Sequence, residues 1–439
     1  MLKNWRIGVI AGIAVLALAG CSTTATTTST SSSDSLTAKP GSLKGVTLTM
    51  WVAESTATEA KQPIAAFDKL TGATIKTVVI PDPYEGNVPT KLATGDKPDL
   101  AFYQPSVSAL PVIQPAKNLL SLDGSPWLKS LGKVEQNLGV INGVHYSAVI
   151  KQPSIIGVYY NKPDFAKAGI TKIPQDYAQF LALAKELKTK LPAGTYPLYE
   201  AGADKWPLQW QIHMQMSGVL GPDFWAKLNA NKASWNNPTF VNAVSTYDND
   251  VIKGGLTNPD YQTGTFVEQG ATLLSGKTAM VAQVDALVPE LTAKMSTAKL
   301  NSTVGWFPIA EKTPTAQFAA DVTNAVSAFN TGNTKTENAS KQFINYWLTT
   351  DYPAFIKAQG YVSIEPAVKS PTGLPTIVQE QAAAFPTATQ LYYGYLFATP
   401  DIHIYLNEML FGQKTPQTLA QAMETQFIQQ GKAQGIKGF

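Results

Sequence analysis

The sequence predicts an α/β fold of mostly parallel sheets flanked by helices, and three observations predict it. Short β-rich runs alternate with amphipathic helical runs, and glycine closes several of the helical ones. The third is that Cys21 is the only cysteine, so no internal disulfide can form and a chain of 439 residues must rely on its core.

The folded body opens at residues 46–52, a β-rich run, followed by residues 57–70, where Ile64, Phe67 and Leu70 recur at helical spacing before Gly72. An alternating strand at 75–80, a short helix ending near Gly95, and an apolar strand at 100–103 behind Pro98-Asp99 come next. This β-α-β-α-β order implies a doubly wound sheet, in which ligands sit beyond the carboxyl ends of strands. Residues 53–55 and 103–106 are therefore candidate site segments.

A second apolar strand at 154–160 leads into another α/β segment. Its helix at 174–190 carries Tyr177, Phe180, Leu181, Ala184 and Leu187 on one face, with Lys185, Lys188 and Lys190 off it. A helix at 240–252 stops at Gly254-Gly255, and one at 266–274 stops at Gly276, ahead of a strand at 278–284.

Before this body lie Lys3, Arg6, and an apolar run at 7–19 that ends in Leu18-Ala19-Gly20-Cys21. Residues 1–20 read as a signal peptide, and its last residues resemble the lipobox of bacterial lipoproteins, which makes Cys21 the lipidation site. Residues 21–44 are Ser/Thr-rich and nearly devoid of apolar side chains, which reads as a flexible tether. Anchoring on the outer face of the cytoplasmic membrane follows, and the long tether points to a Gram-positive surface.

Charge excludes other classes. Of the 34 Lys+Arg, Lys3 and Arg6 fall in the signal, leaving 32 against 31 Asp+Glu, which is no footprint for nucleic acid. No arginine follows Arg6, so the body lacks the side chain best suited to clamp a carboxylate or phosphate. Metal capture is disfavoured because His145, His213 and His403 are widely spaced. No cofactor is expected.

One block carries a resemblance. Asn142-Gly143-Val144-His145-Tyr146 is followed by Val158-Tyr159-Tyr160-Asn161-Lys162 and by Phe165-Ala166-Lys167-Ala168-Gly169-Ile170. With Trp206-Pro207-Leu208, Leu274-Ser275-Gly276-Lys277-Thr278-Ala279-Met280, Trp306-Phe307-Pro308, a helix at 339–348 and Gln359-Gly360-Tyr361, it resembles the extracellular solute-binding proteins of maltose and oligosaccharide type. The resemblance spans nearly all of residues 45–427. It implies a two-lobed, periplasmic-binding-protein-like fold, each lobe a central mostly parallel sheet, with the ligand cleft at the hinge. The N-terminal lobe would comprise 45–152 and 307–363 and the C-terminal lobe 153–306 and 364–439, with hinge strands near Lys151, Trp306 and Ser363.

The function so implied is that of a substrate-binding lipoprotein of a carbohydrate ABC importer, a monomer that captures a mono- or oligosaccharide by hinge closure. It would deliver the sugar to two permease subunits served by a cytoplasmic ATPase. A pyranose offers apolar C–H faces to aromatic rings and hydroxyls to polar groups. The resemblance places Glu54 and Ser55 at the first strand's ligand contact, Tyr103 as a stacking ring followed by Gln104 and Ser106, and Trp206 near the sugar. After the Ala-Met strand the family often has glycine and an aromatic, whereas this chain has Val284-Asp285-Ala286, so Asp285 would bind a hydroxyl instead. Trp51, Tyr84, Trp210, Trp306 and Tyr361 are further candidates, with core packing as the alternative for each.

Residues 271–278 come close to a phosphate-binding P-loop, but a helix precedes and a strand follows, the reverse of what phosphate binding needs. Ser130-Leu131-Gly132-Lys133 fits a Ser-x-x-Lys nucleophile pattern without its companion motifs. Catalysis is not expected. A polyol, a peptide or a glycerol phosphate remains an alternative ligand, and a surface glycoside hydrolase a more distant one.

Overall fold

The computed structural model describes residues 40–81 and 84–439. The expected signal peptide, Cys21 and most of the tether lie outside the described residues, as does the side chain of Ser55. Its strands are β1 (Thr47–Val52), β2 (Thr74–Val79), β3 (Leu100–Tyr103), β4 (Val140–Ile141), β5 (Val144–His145), β6 (Ala148–Val149), β7 (Ser154–Asn161), β8 (Tyr196–Leu198), β9 (Thr278–Val284), β10 (Val304–Phe307), β11 (Gln317–Ala319), β12 (Ala325–Ala328) and β13 (Thr389–Gln390). They form two main sheets, one in the order β2-β1-β3-β12-β6 and one in the order β13-β11-β7-β9-β8 with β10 also on β7.

Both sheets are covered on both faces, as a period of two demands when each face meets apolar side chains. In the first, Leu48, Met50, Val52 and Phe102 pack with Phe343, Trp347 and Phe355. Trp51, Ala101 and Tyr103 turn to the other face, against Tyr84, Val88 and Leu110. In the second, Ile156 and Val158 join the helical core of Phe180, Ile212 and Phe240, while Ile155 and Tyr159 face Leu287 and Phe385.

Local signals explain where the helices begin and end. Asp176 accepts a hydrogen bond from the Gln179 amide and so caps helix Tyr177–Lys190. Thr265 and Glu268 form a reciprocal capping box on helix Phe266–Ser275, which stops at Gly276 in the left-handed conformation (φ 72°). The helix expected at 240–252 is helix Pro238–Thr246 running on into a π-helical turn, Tyr247–Ile252.

The structure corrects three expectations. The second sheet is not mostly parallel in its pairing, because β7 runs antiparallel to β9, β10 and β11. In the first sheet β12 likewise opposes β3 and β6. The reason is the same in both: β7 and β12 are the strands that enter their sheet from the other one, so they start at the hinge where their neighbours end. The expected boundary at 306/307 is also displaced. Both β10 and β11 pair with β7, so the chain returns to the first sheet between Ala319 and Ala325. Trp306, expected at a hinge, is an interior residue of β10. The last crossing falls later than 363, since Ile364 still packs in the first core and Ile377 is the next residue in a second-sheet core.

Candidate functional site

The strand ends nearest the crossings surround a cavity of about 1310 Å3. Thr56 and Glu59 follow β1, Gln104 follows β3, and Lys151 and Gln152 follow β6. From the second sheet come Asp285 after β9 and Ser154 at the start of β7, and from the returning segment Asp321 and Asn324. This is the crevice beyond carboxyl strand ends where open α/β sheets bind ligands. Val288, Pro289, Leu374 and Val378 add an aliphatic wall.

At the base of the cavity lies a charged cluster. Lys151 Nζ donates to Glu59 Oε1 at 2.5 Å, and the Tyr361 hydroxyl donates to the same oxygen at 3.0 Å. The ammonium also sits 5.0 Å from the Tyr361 ring centroid, within cation–π range. Burial by itself would depress the Lys151 pKa, but the charges of Glu59, Tyr361 and Asp285 outweigh it and hold the ammonium above its ordinary range. Burial raises the Asp285 carboxyl, against the pull of Ser154 and Lys151. Burial, with Glu85 adding to it, raises Asp321 to about 7 despite its own backbone amide. Glu85 in turn accepts from the Thr323 hydroxyl at 2.7 Å, which ties the helix Tyr84–Ala93 to the returning segment.

Of the residues proposed from sequence, Gln104, Asp285 and Tyr361 line this cavity together. The others stand elsewhere. Trp51, Tyr84 and Tyr103 are buried under the first sheet, where the Tyr84 hydroxyl donates to the Phe102 carbonyl at 2.8 Å and the Tyr103 hydroxyl to the Glu85 carbonyl at 3.2 Å. Ser106 is buried in the turn after β3, its hydroxyl 2.9 Å from that of Ser108. Glu54 is exposed in the short turn Glu54–Thr56 and does not line the cavity; Ser55 shares that turn.

Trp206 is half-buried in the second lobe between Phe266, 5.0 Å away, and Trp210. Trp210 is buried beside His213. The Trp306 ring lies over Gly157, where a Cβ would come within 2.3 Å of it. That close approach is why the sequence keeps glycine at 157.

Sequence reasoning missed Glu59, Glu85, Lys151, Gln152, Asp321 and Asn324 as site residues. A usable signal exists for some: Lys151-Gln152 and Asp321 are polar residues directly after apolar strands. Glu59 has no such mark. Among the described residues, no group of three or more His, Cys, Asp or Glu side chains is placed to hold a metal ion, and no helix is long and apolar enough to cross a membrane.

Comparison with known proteins agrees with this geometry. A chitin oligosaccharide binding protein superposes with a TM-score of 0.72 at 18% identity, over 88% of this chain and 98% of that one. RafE of Streptococcus pneumoniae, solved in complex with raffinose, gives 0.70 at 18% identity over 87% and 98%. At these identities the likeness concerns the fold. An uncharacterized ABC transporter extracellular-binding protein of Pyrococcus horikoshii is 27% identical over 158 residues, 36% of this chain and 34% of that protein, so about a third of the relative's length is matched. The model of the bacterial extracellular solute-binding proteins matches residues 53–352, a span that takes in β2 to β12, the first two crossings and most of the cavity's polar residues. With two helix-covered sheets, a cavity at their crossings and that match, the chain belongs to the bacterial extracellular solute-binding protein family.

Proposed function

We propose that this protein captures a small neutral sugar outside the cell, in the cavity between its two sheets, and delivers it to an ABC importer. The observation that carries the reading is the cavity itself, lined by carboxylate, amide and hydroxyl side chains at the crossings together with aliphatic ones. Sugars need both donors and acceptors around their rim and tolerate apolar groups against their C–H faces. The similar structures include proteins named for chitin oligosaccharide, for raffinose and for β-D-galactopyranose. Because the cavity is shared by both lobes, a ligand that touches both favours the closed arrangement by as much as its differential affinity for it.

Anchoring completes the proposal. Acylation of Cys21 after removal of residues 1–20 would hold a monomer on the outer face of the cytoplasmic membrane, at the surface of a Gram-positive cell, with residues 21–44 as its leash. Its partners are two permease subunits with a cytoplasmic ATPase. The test is a tryptophan-fluorescence melting screen of the purified full-length protein against mono- and oligosaccharides, sugar alcohols, peptides and sugar phosphates. Ligand at 100 times its Kd adds about 2.7 kcal/mol to the folded state. A rise in Tm with one saccharide series supports the reading; a rise only with peptides or phosphates refutes it.

A further inference from the structure

Three segments of the chain cross between the two sheets, and hydrogen bonds hold each of them to the first. In the first crossing, Ile150 packs in the first core and Ile155 in a second-sheet core. Between them the Lys151 and Gln152 carbonyls accept from the Asn324 side-chain amide at 3.3 and 3.4 Å, while the Ile150 amide donates to the Asn324 carbonyl at 3.0 Å. Asn324 directly precedes β12, a strand of the first sheet, so one residue ties the first crossing to the second. Glu59 does the same for the first and the third. Its Oε1 accepts from Lys151 Nζ and from the Tyr361 hydroxyl, and its carbonyl accepts from Gln359 Nε2 at 3.4 Å. It stands just ahead of helix Lys61–Thr71, whose Phe67 packs in the first core. Glu59 is 5% and Asn324 0% exposed, so water does not compete for these bonds.

A hinge is a few residues that absorb a backbone rotation, and a residue bonded within one lobe cannot absorb it. The bending points therefore fall where these bonds end. The first crossing leaves Pro153, because Gln152 is held by Asn324 and Ser154 begins β7. In the second, Ala319 packs in a second-lobe core and Ala320 in the first core, so the passage takes a single peptide. In the third, Val368 packs against the first core and the Ser370 hydroxyl accepts from the Ser363 amide, while the Thr376 amide bonds to Asn301 of the second lobe at 2.8 Å. Residues 371–375 remain, and among them Gly373 has φ 83° with nothing within 4 Å of an added Cβ.

We propose that Glu59 and Asn324 are positioning residues that clamp all three crossings to the first lobe, so that the lobes move about Pro153, the Ala319–Ala320 peptide and Gly373. The cavity then divides unevenly between the moving bodies. Lys151, Gln152, Asn324 and Tyr361, all of which line it, travel with the first lobe as one unit, whereas Ser154 and Asp285 travel with the second. The assignment concerns the motion and holds for whatever solute the cavity takes.

Pulsed electron-spin distance measurement on the full-length protein without ligand tests it. Spin labels go on exposed positions of the two lobes, Lys69→Cys and Lys227→Cys, in a Cys21→Ser background. Lys151→Met combined with Glu59→Gln removes the ion pair without stranding either charge, and is expected to broaden the inter-lobe distance distribution roughly twofold while Tm stays near that of the parent. Lys185→Ala breaks an exposed ion pair inside the second lobe and is expected to leave the distribution unchanged. Should the double variant melt without a cooperative transition, Tyr361→Phe decides: it deletes only the hydroxyl that joins the third crossing to Glu59, and is expected to broaden the distribution in the same sense. A distribution as narrow as the parent's in a clamp variant that melts cooperatively overturns the proposal, as does equal broadening by Lys185→Ala.

Discussion

Glu200 gives the sharpest test of how the second lobe is held together. It sits just past β8 in the core, 4% exposed, where Gln211 donates to its Oε1 at 2.6 Å and no cation pairs with it. Burial lifts its pKa from 4.5 to about 8, although hydrogen bonds from Tyr247 and Gln211 pull the other way. In the unfolded chain the carboxyl loses its proton near 4.5, whereas in the folded protein it keeps it to about 8. Between those values the folded state binds more protons, so stability falls as pH rises, by about 1.4 kcal/mol per unit. Over that interval of roughly 3.5 units the loss is about 5 kcal/mol, complete above pH 8 and absent below pH 4.5.

Glu200→Gln keeps the shape and the hydrogen-bonding capacity and removes the titration. Urea unfolding at pH 5 and pH 9 checks the expectation: the two proteins differ by less than about 1 kcal/mol at pH 5, while at pH 9 the Gln variant is the more stable by several kcal/mol. Asp321 and Glu365, both raised to about 7, add to the slope of each protein equally, so the difference between the two isolates Glu200. Parallel pH profiles for the two proteins would refute the claim that this carboxyl is buried neutral.

Other perturbations follow from the same structure. His213, whose pKa burial lowers from 6.5 to about 3, costs stability as pH falls from 6.5 toward 3; His213→Gln is expected to flatten that acid limb in thermal melts. Gly157→Ala drives a methyl into the Trp306 ring and is expected to cost about 1–3 kcal/mol, less in a Trp306→Leu background, as a double-mutant cycle would report. Lys151→Met strands the buried Glu59 carboxylate and is expected to cost about 3 kcal/mol by urea unfolding, much of it recovered by adding Glu59→Gln. Cys21→Ser is expected to release the protein from membranes in cell fractionation, with no change in ligand affinity by titration; retention on the membrane would refute the lipid anchor.

The strands and helices were largely legible because their signals are local. The run at 100–103 is β3, residues 278–284 are β9, and Gly72 and Gly276 end their helices in the left-handed conformation. The body begins slightly before the expected Gly45, since the Leu43 amide bonds to the Thr71 carbonyl at 2.8 Å. Sheet membership was less legible. Nothing in residues 304–307 or 317–319 says which of two sheets each will join, because both are short apolar runs and the partner, β7, lies about 150 residues earlier in the chain.

The site divided along the same line. Gln104, Asp285 and Tyr361 were within reach because strand-end logic and the family pattern each mark a position. The aromatic residues misled, since a tryptophan or tyrosine after an apolar strand reads the same whether it faces a ligand or fills the core. Trp51, Tyr84 and Tyr103 fill the core, and Trp306 covers a glycine.

By itself the sequence determined what depends on neighbours in the chain: the alternation of strand and helix, the caps, the near-neutral body without arginine, and the family pattern that names a solute-binding protein. Only the tertiary structure decided that Glu59, Lys151, Asp285 and Asn324 meet around one cavity, because they come from positions as far apart as 59 and 324, and strand pairing alone brings such positions together. The sequence shows which side chains can bond to a ligand, and the fold determines which of them are left without a partner when the core has formed.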